Sequence, residues 1–245
     1  MKAYRSKAVI FSILMIGLTM IGCQQSFGKQ HIIASIPEAS GISYCNNSDT
    51  LVVANDEGYF YEIGTNGTVM HKHNIGKYDL EGVVCEDNNY IFALESGGLV
   101  KVDRVSQSKQ YIHVEGLGKF GKKRGIEGIT KMGDKYILSL QTLSKKDAKL
   151  FVVELDDVKA KVVDVIHHEI EDSSGLEMKN GILYIVSDTK NRLYLYSMAE
   201  KKILSTLKLP KFNQEGIAID NNDNIYFADD KGYVQKYRID ELGIN

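Results

Sequence analysis

From His31 onward the apolar positions arrive in short bursts. "TLVVAN", "YFYEI", "YIFALE", "GLVKV", "YILSLQ", "LFVVEL", "LYIVSD", "RLYLYSM", "NIYFADD" and "YVQKYRI" are rich in Val, Ile, Leu, Tyr and Phe, and turns of Gly, Asn, Asp and Lys separate them. No stretch sustains the 3.6-residue period of a helix, so the pattern predicts an all-β chain.

The bursts are grouped. Aligned on a recurring glycine, "EASGIS" (38–43), "DLEGVV" (79–84), "GIEGIT" (125–130), "DSSGLE" (172–177) and "NQEGIA" (213–218) stand 41, 46, 47 and 41 residues apart. That is the period of a four-stranded propeller blade. Room for four strands follows each of Gly41, Gly82, Gly128 and Gly175, but only three fit after Gly216, near 217–220, 224–228 and 233–239. The unassigned burst "HIIASI" at 31–36 supplies the missing strand and would complete the last blade, leaving no open edge in the ring. The count predicts one domain over 31–245, a five-bladed β-propeller, with six blades as the alternative.

The repeat also carries the candidate chemistry. The first strand of a blade lies nearest the axis, so residues entering it crowd one mouth of the channel. The position before the glycine reads Ser40, Glu81, Glu127, Ser174 and Glu215; two residues earlier stand Glu38, Asp79, Gly125, Asp172 and Asn213. Second strands return to the same face and end near Asp56, Glu95, Gln141, Asp188 and Asp230. Converging carboxylates raise one another's pKa unless a positive charge intervenes. All the candidate donors are oxygens, which suits a hard ion such as calcium better than zinc or copper, with Glu81, Glu127 and Glu215 facing it and Asp79 and Asp172 behind. Ser40, Ser174 and Asn213 would add secondary or water-linked oxygens. The competing expectation is that each glutamate accepts backbone N–H groups of the next blade and ties the ring together. Ser40 and Ser174 have no histidine at a recurring mouth position to act as base, which argues against nucleophilic catalysis.

The first residues differ from the rest. Lys2, Arg5 and Lys7 precede an apolar run from Ala8 to Ile21 that ends at Gly22-Cys23. This is short for a membrane span and reads as a lipoprotein signal peptide over 1–22, with Cys23 lipidated and 23–30 as a linker. Gln24, in place of a retaining aspartate, favours the outer membrane in a two-membrane cell. Loss of 1–22 removes three positive charges and no acid, so the formal charge of −2 becomes −5. Nucleic acid is an unsuitable partner for such a domain. Cys45 and Cys85 stand at different offsets from their glycines, which favours two buried thiols over a bridge.

Other motifs carry less. "GLGKFG" at 116–121 fits G-x-G-x-x-G, but "KKRGIEG" leads from it into a strand and not a helix, so the dinucleotide reading lacks its helix N-terminus. "HKH" at 71–73 and "HH" at 167–168 fall on outermost strands with neighbours on opposite faces, which does not make a zinc site. Lys119, Lys122, Lys123 and Arg124, with the insertion "TLSKKDAK" at 142–149, form two basic loops at the mouth that could hold a small anionic ligand.

The series SGI, DLEGV, IEGIT, SSGL and QEGIA, together with "VSDTKNRLYLY", "FADDKGYVQKY" and the lipobox start, resembles the SdiA-regulated domain family of bacterial β-propellers. The resemblance implies a five-bladed, distantly NHL-like propeller with a calcium site. The function expected is an exported, lipid-anchored calcium-binding module that engages a partner protein or small anionic ligand at the envelope. The alternative is a calcium-dependent hydrolase of esters, lactones or phosphoesters, with Asp188 or Glu95 as base and the Lys122–Arg124 loop holding the anion.

Overall fold

The computed structural model describes residues 31–118, 120 and 124–244. The signal segment, the linker and Cys23 lie outside the described residues, as do Lys119, Lys122 and Lys123. Every extended element is a strand of four to eight residues, and the only helical elements described are two 3₁₀ turns, Lys145–Asp147 and Asp240–Leu242.

After β1 (Ile32–Ser35) the chain makes four antiparallel meanders, each forming a twisted four-stranded blade. They are β2 (Ala39–Cys45), β3 (Thr50–Asn55), β4 (Tyr59–Gly64), β5 (Val69–Asn74); then β6 (Leu80–Cys85), β7 (Asn89–Leu94), β8 (Gly98–Asp103), β9 (Lys109–Glu115); then β10 (Ile126–Met132), β11 (Lys135–Leu140), β12 (Lys149–Leu155), β13 (Ala160–His167); then β14 (Ser173–Lys179), β15 (Ile182–Ser187), β16 (Arg192–Ser197), β17 (Lys202–Lys208). The last strands, β18 (Gln214–Ile219), β19 (Asn224–Asp229) and β20 (Tyr233–Arg238), take β1 as their fourth partner, with Ser35 opposite Tyr233. The strand counted from "HIIASI" therefore lies where the shortfall after Gly216 places it. Outermost strands β9 and β13 add a short parallel pairing, Val114 with Ala160, which joins two blades into one eight-stranded sheet.

The first strands pack in a closed cycle: β2 on β6, β6 on β10, β10 on β14, β14 on β18, and β18 on β2. This is a propeller-like arrangement. Its cycle is closed at the glycines. A Cβ on Gly41 would lie 2.7 Å from Gly82 Cα, one on Gly82 2.9 Å from Ile129 N, and one on Gly128 3.0 Å from Ser174 O. Likewise Gly175 would meet Gly216 Cα at 2.8 Å, and Gly216 would meet Ile42 N at 2.9 Å. None of the five has positive φ. Close approach of neighbouring backbones, and not left-handed geometry, fixes the residue type.

Cores fill the gaps between consecutive blades, and strand alternation decides which gap a residue enters. Residues one after the glycine face the preceding blade: Val83 packs with Phe60 and Val52, and Ile129 with Ala93 and Ile91. Residues two after it face the following blade, as Val84 does against Ile129 and Tyr136. The same parity corrects the expectation of two free thiols. Cys45 and Cys85 form a disulfide with Cα atoms 5.3 Å apart. Two blades that face each other present opposite sides of their sheets, so facing side chains need offsets of opposite parity. Cys45, four after Gly41, and Cys85, three after Gly82, satisfy that condition. The bridge closes a separation of 40 residues. Replacing both cysteines by serine is expected to remove about 2–4 kcal/mol, seen in a thermal melt as a fall of roughly 5–15 °C for a domain of this size.

Candidate functional site

Each first strand begins with a β-bulge. Register slips between Ala39 and Gly41, Leu80 and Gly82, Ile126 and Ile129, Ser173 and Gly175, and Gln214 and Gly216. The residues inside the slips include Ser40, Glu81, Glu127, Ser174 and Glu215. A bulge re-aims the side chain it releases from the ladder, and every first strand carries one at this position. Sequence periodicity gave the position but not the bulge, which has no distinctive residue signature here beyond the glycine.

The three glutamates are brought into one electrostatic neighbourhood. Burial first, then the negative charges of Asp79, Asp56 and Glu95, raises the Glu81 carboxyl well above its usual range. Burial, then Glu81, Glu215, Glu95 and Asp172, raises Glu127 further still. Burial, then Asp188, Asp172, Glu81 and Asp230, pushes Glu215 up to about 9. Glu127 is only 6% exposed. Asp79 is hydrogen-bonded to Glu81, and among the described residues no cationic side chain pairs with Glu81, Glu127 or Glu215. The expected tie from glutamate to neighbouring backbone is not made by these side chains.

The serines make that tie. Ser40 Oγ donates to Leu80 O, and Ser174 Oγ donates to Gln214 O, each clasping the start of the next blade. They are clasps between blades, whereas the sequence suggested secondary metal oxygens. Asp172 is 5% exposed and backs the ring, its Oδ2 accepting Thr189 N at 2.8 Å. Asp79 lies on the exposed rim, in a groove of ≈ 340 Å³ with Glu38, Asp56, Glu57, Lys77 and Tyr78. Asn213 is drawn to the rim, its side-chain nitrogen 3.5 Å from Asp230 Oδ2. Second-strand ends supply charge as expected: Asp56 is pushed up to about 6 by burial and then by Glu38, Asp230 and Asp79, and its Oδ1 is buried without a partner.

The five repeat glycines, with Ile42, Val83, Ile129, Leu176 and Ile217 next to them, line a narrow axial cavity that Glu81 and Glu215 also border. This cavity is ≈ 10 Å³, room for about one water. Of the basic loops, Arg124 pairs with Asp147 at 2.9 Å, tying the two insertions together. Lys119, Lys122 and Lys123 lie outside the described residues. "GLGKFG" runs from β9 toward β10, with no helix among the described residues between them. His71 and His73 sit on β5, their ring centroids 5.9 Å apart, and His73 stacks on Phe60.

The electrostatics set a pH dependence. A carboxyl with a raised pKa keeps its proton in the folded state after the unfolded chain has lost it, so stability falls as pH rises from the unfolded value, about 4.5, through the folded one. Glu81 and Glu215 share this sign, and Glu177, raised to about 8 by burial between blades, adds to it. Between pH 7 and 9 the melting temperature in EDTA is expected to fall steadily. His168, pushed down to about 4 by burial, is neutral in both states there and does not contribute. A flat or rising melting temperature over that window would contradict this electrostatic reading.

Compared with known proteins, the sequence matches the SdiA-regulated family over residues 24–230. No curated protein matches it. Among solved structures it is similar to the Myxococcus xanthus glutaminyl cyclase, with 13% sequence identity and a TM-score of 0.66 over 85% of this chain and 95% of that one. At that identity the likeness speaks for the fold alone.

Proposed function

The chain belongs to the SdiA-regulated family, and from that footing we propose a five-bladed propeller whose axial carboxylates bind calcium, held at the cell envelope through a lipid on Cys23 and serving there as a binding module. The observation that carries the reading is Glu127, a carboxylate 6% exposed that faces two other glutamates with no described donor or cation beside it. A buried carboxylate in that position either keeps its proton or takes a positive partner. Glu81, Glu127 and Glu215 would hold the ion, with Asp172 and the rim carboxylate Asp79 adding negative charge. Calcium accepts six to eight oxygens in flexible geometry, and water in the axial cavity would complete the set. Among the described residues no three such side chains already form a metal cage, so binding would draw the glutamates inward by rotamer change. The bound ion would supply positive charge that fixes these side chains ionised and ties their blades together.

Export agrees with the Cys45–Cys85 bridge, because structural disulfides persist in oxidising compartments. The test is a melt with and without calcium. At a free concentration a hundredfold above Kd, calcium should add about 2.7 kcal/mol, or roughly 5–10 °C, reversed by EDTA. No shift at millimolar calcium would sink the metal reading.

The hydrolase alternative needs an ion open to substrate. The axial cavity admits about one water, which favours a structural or ligand-bridging ion over a catalytic one. Turnover of p-nitrophenyl esters, lactones or phosphoesters that disappears in EDTA would reverse that preference.

A further inference from the structure

The propeller has two ends, and β1 decides which of them faces the membrane. Strands β2, β6, β10, β14 and β18 start at the carboxylate mouth, so the turns from third to fourth strands lie at the opposite end. β1 runs antiparallel to β20, with Ile32 opposite Gln235 and Ser35 opposite Tyr233. It therefore begins at that opposite end and finishes at the mouth, where it feeds β2.

The same end carries a collar of exposed apolar side chains. Val69 and Met70 open β5, Val105 and Val158 occupy the turns before β9 and β13, and Ile203 and Leu204 lie near the start of β17. Four blades thus expose apolar residues within a few positions of one equivalent turn, and the fifth takes the N-terminal tether. Val105 is 93% exposed and Val158 60%. Both are presented by the same device. Asp103 Oδ1 accepts Val105 N at 3.0 Å and Ser106 N at 2.7 Å, and Asp156 Oδ1 accepts Val158 N at 2.9 Å and Lys159 N at 2.7 Å. These carboxylates are turned onto their own turns, which leaves the valines as the projecting tips.

We propose that the end bearing Val69, Met70, Val105, Val158, Ile203 and Leu204 rests on the bilayer surface, so that the carboxylate mouth faces away from the membrane. The inference rests on the lipid-anchor reading of Cys23. Seven residues, 24–30, separate that cysteine from His31, a reach of at most about 25 Å. Turning the mouth to the membrane would require the tether to climb the blade, roughly 20 Å of six-residue strand before its turns are added. That would nearly exhaust it. The mouth also presents fewer exposed large apolar side chains, Leu143 and Tyr233, against the six of the collar. With Asp103, Asp156 and Asp157 flanking the valine tips, the collar suits a zwitterionic surface. The mouth is left open to diffusible cations and to a partner arriving from solution.

The test uses the full-length lipidated chain on phosphatidylcholine–phosphatidylethanolamine vesicles, with an environment-sensitive fluorophore on Val105→Cys or on Leu143→Cys and a quencher on the lipid headgroups. Both positions are exposed turn sites, and the native Cys45–Cys85 pair is bridged and does not take the label. Quenching is expected to be severalfold stronger at 105 than at 143. Equal quenching, or stronger quenching at 143, overturns the orientation while the anchor stands. Failure of the chain to float with vesicles removes the anchor, and the orientation with it, leaving the calcium measurements untouched.

Discussion

Gly41→Ala is expected to cost about 3 kcal/mol or more, and Gly41→Val to leave no folded protein. The added Cβ would lie 2.7 Å from Gly82 Cα, 3.0 Å from Glu81 O and 3.1 Å from Gly82 C. All three are backbone atoms of the next first strand and cannot move aside by changing rotamer. Relief would require β2 and β6 to separate, and because the first strands form a closed cycle, widening one gap narrows another. Gly133→Ala is the informative control. Its φ is +63° and nothing lies within 4 Å of the added atom, so it carries only the conformational cost of about 1 kcal/mol. Thermal melts of the two variants separate ring contact from backbone strain. Equal losses would mean that the glycines do not act by close approach.

The second large effect has two signs. Glu127→Gln is expected to raise the melting temperature in EDTA at pH 8, because an amide of nearly the same shape replaces a buried carboxylate crowded by Glu81, Glu215, Glu95 and Asp172. In calcium the same variant should lose the stabilisation seen in the parent, since an amide oxygen replaces the best-buried ligand. A purely structural glutamate would give neither gain. Replacing it would destabilise the protein at every calcium concentration. Comparing the two variants of the measurement, with EDTA and with calcium, therefore distinguishes ligand from strut without reference to any activity.

Much of this arrangement was legible before coordinates. Spacing between glycines gave the blade period, and the shortfall after Gly216 assigned β1. Glu81, Glu127 and Glu215 could be gathered at one mouth because a radial repeat places equivalent positions around a common axis. Four features were not legible, for physical reasons. The bulge at each glutamate depends on backbone register, not on residue type. The roles of Ser40 and Ser174 depend on where the next blade's carbonyl falls, and a hydroxyl suits a metal or a carbonyl equally well. The Cys45–Cys85 bridge joins two facing blades, where partners need offsets of opposite parity, so unequal offsets mark a possible pair and do not exclude one. The apolar collar is scattered through the sequence as single residues, and only the strand directions put it at one end.

The account depends most directly on whether these distant carboxylates form one cation site. Calorimetric titration of calcium into the chain at pH 8, repeated on Glu127→Gln, measures that property. The account predicts a saturable heat with protons released in the parent, as the ion displaces those held by the raised carboxyls, and no saturable heat in the variant. Identical titrations for the two proteins, or no binding in either, would contradict it.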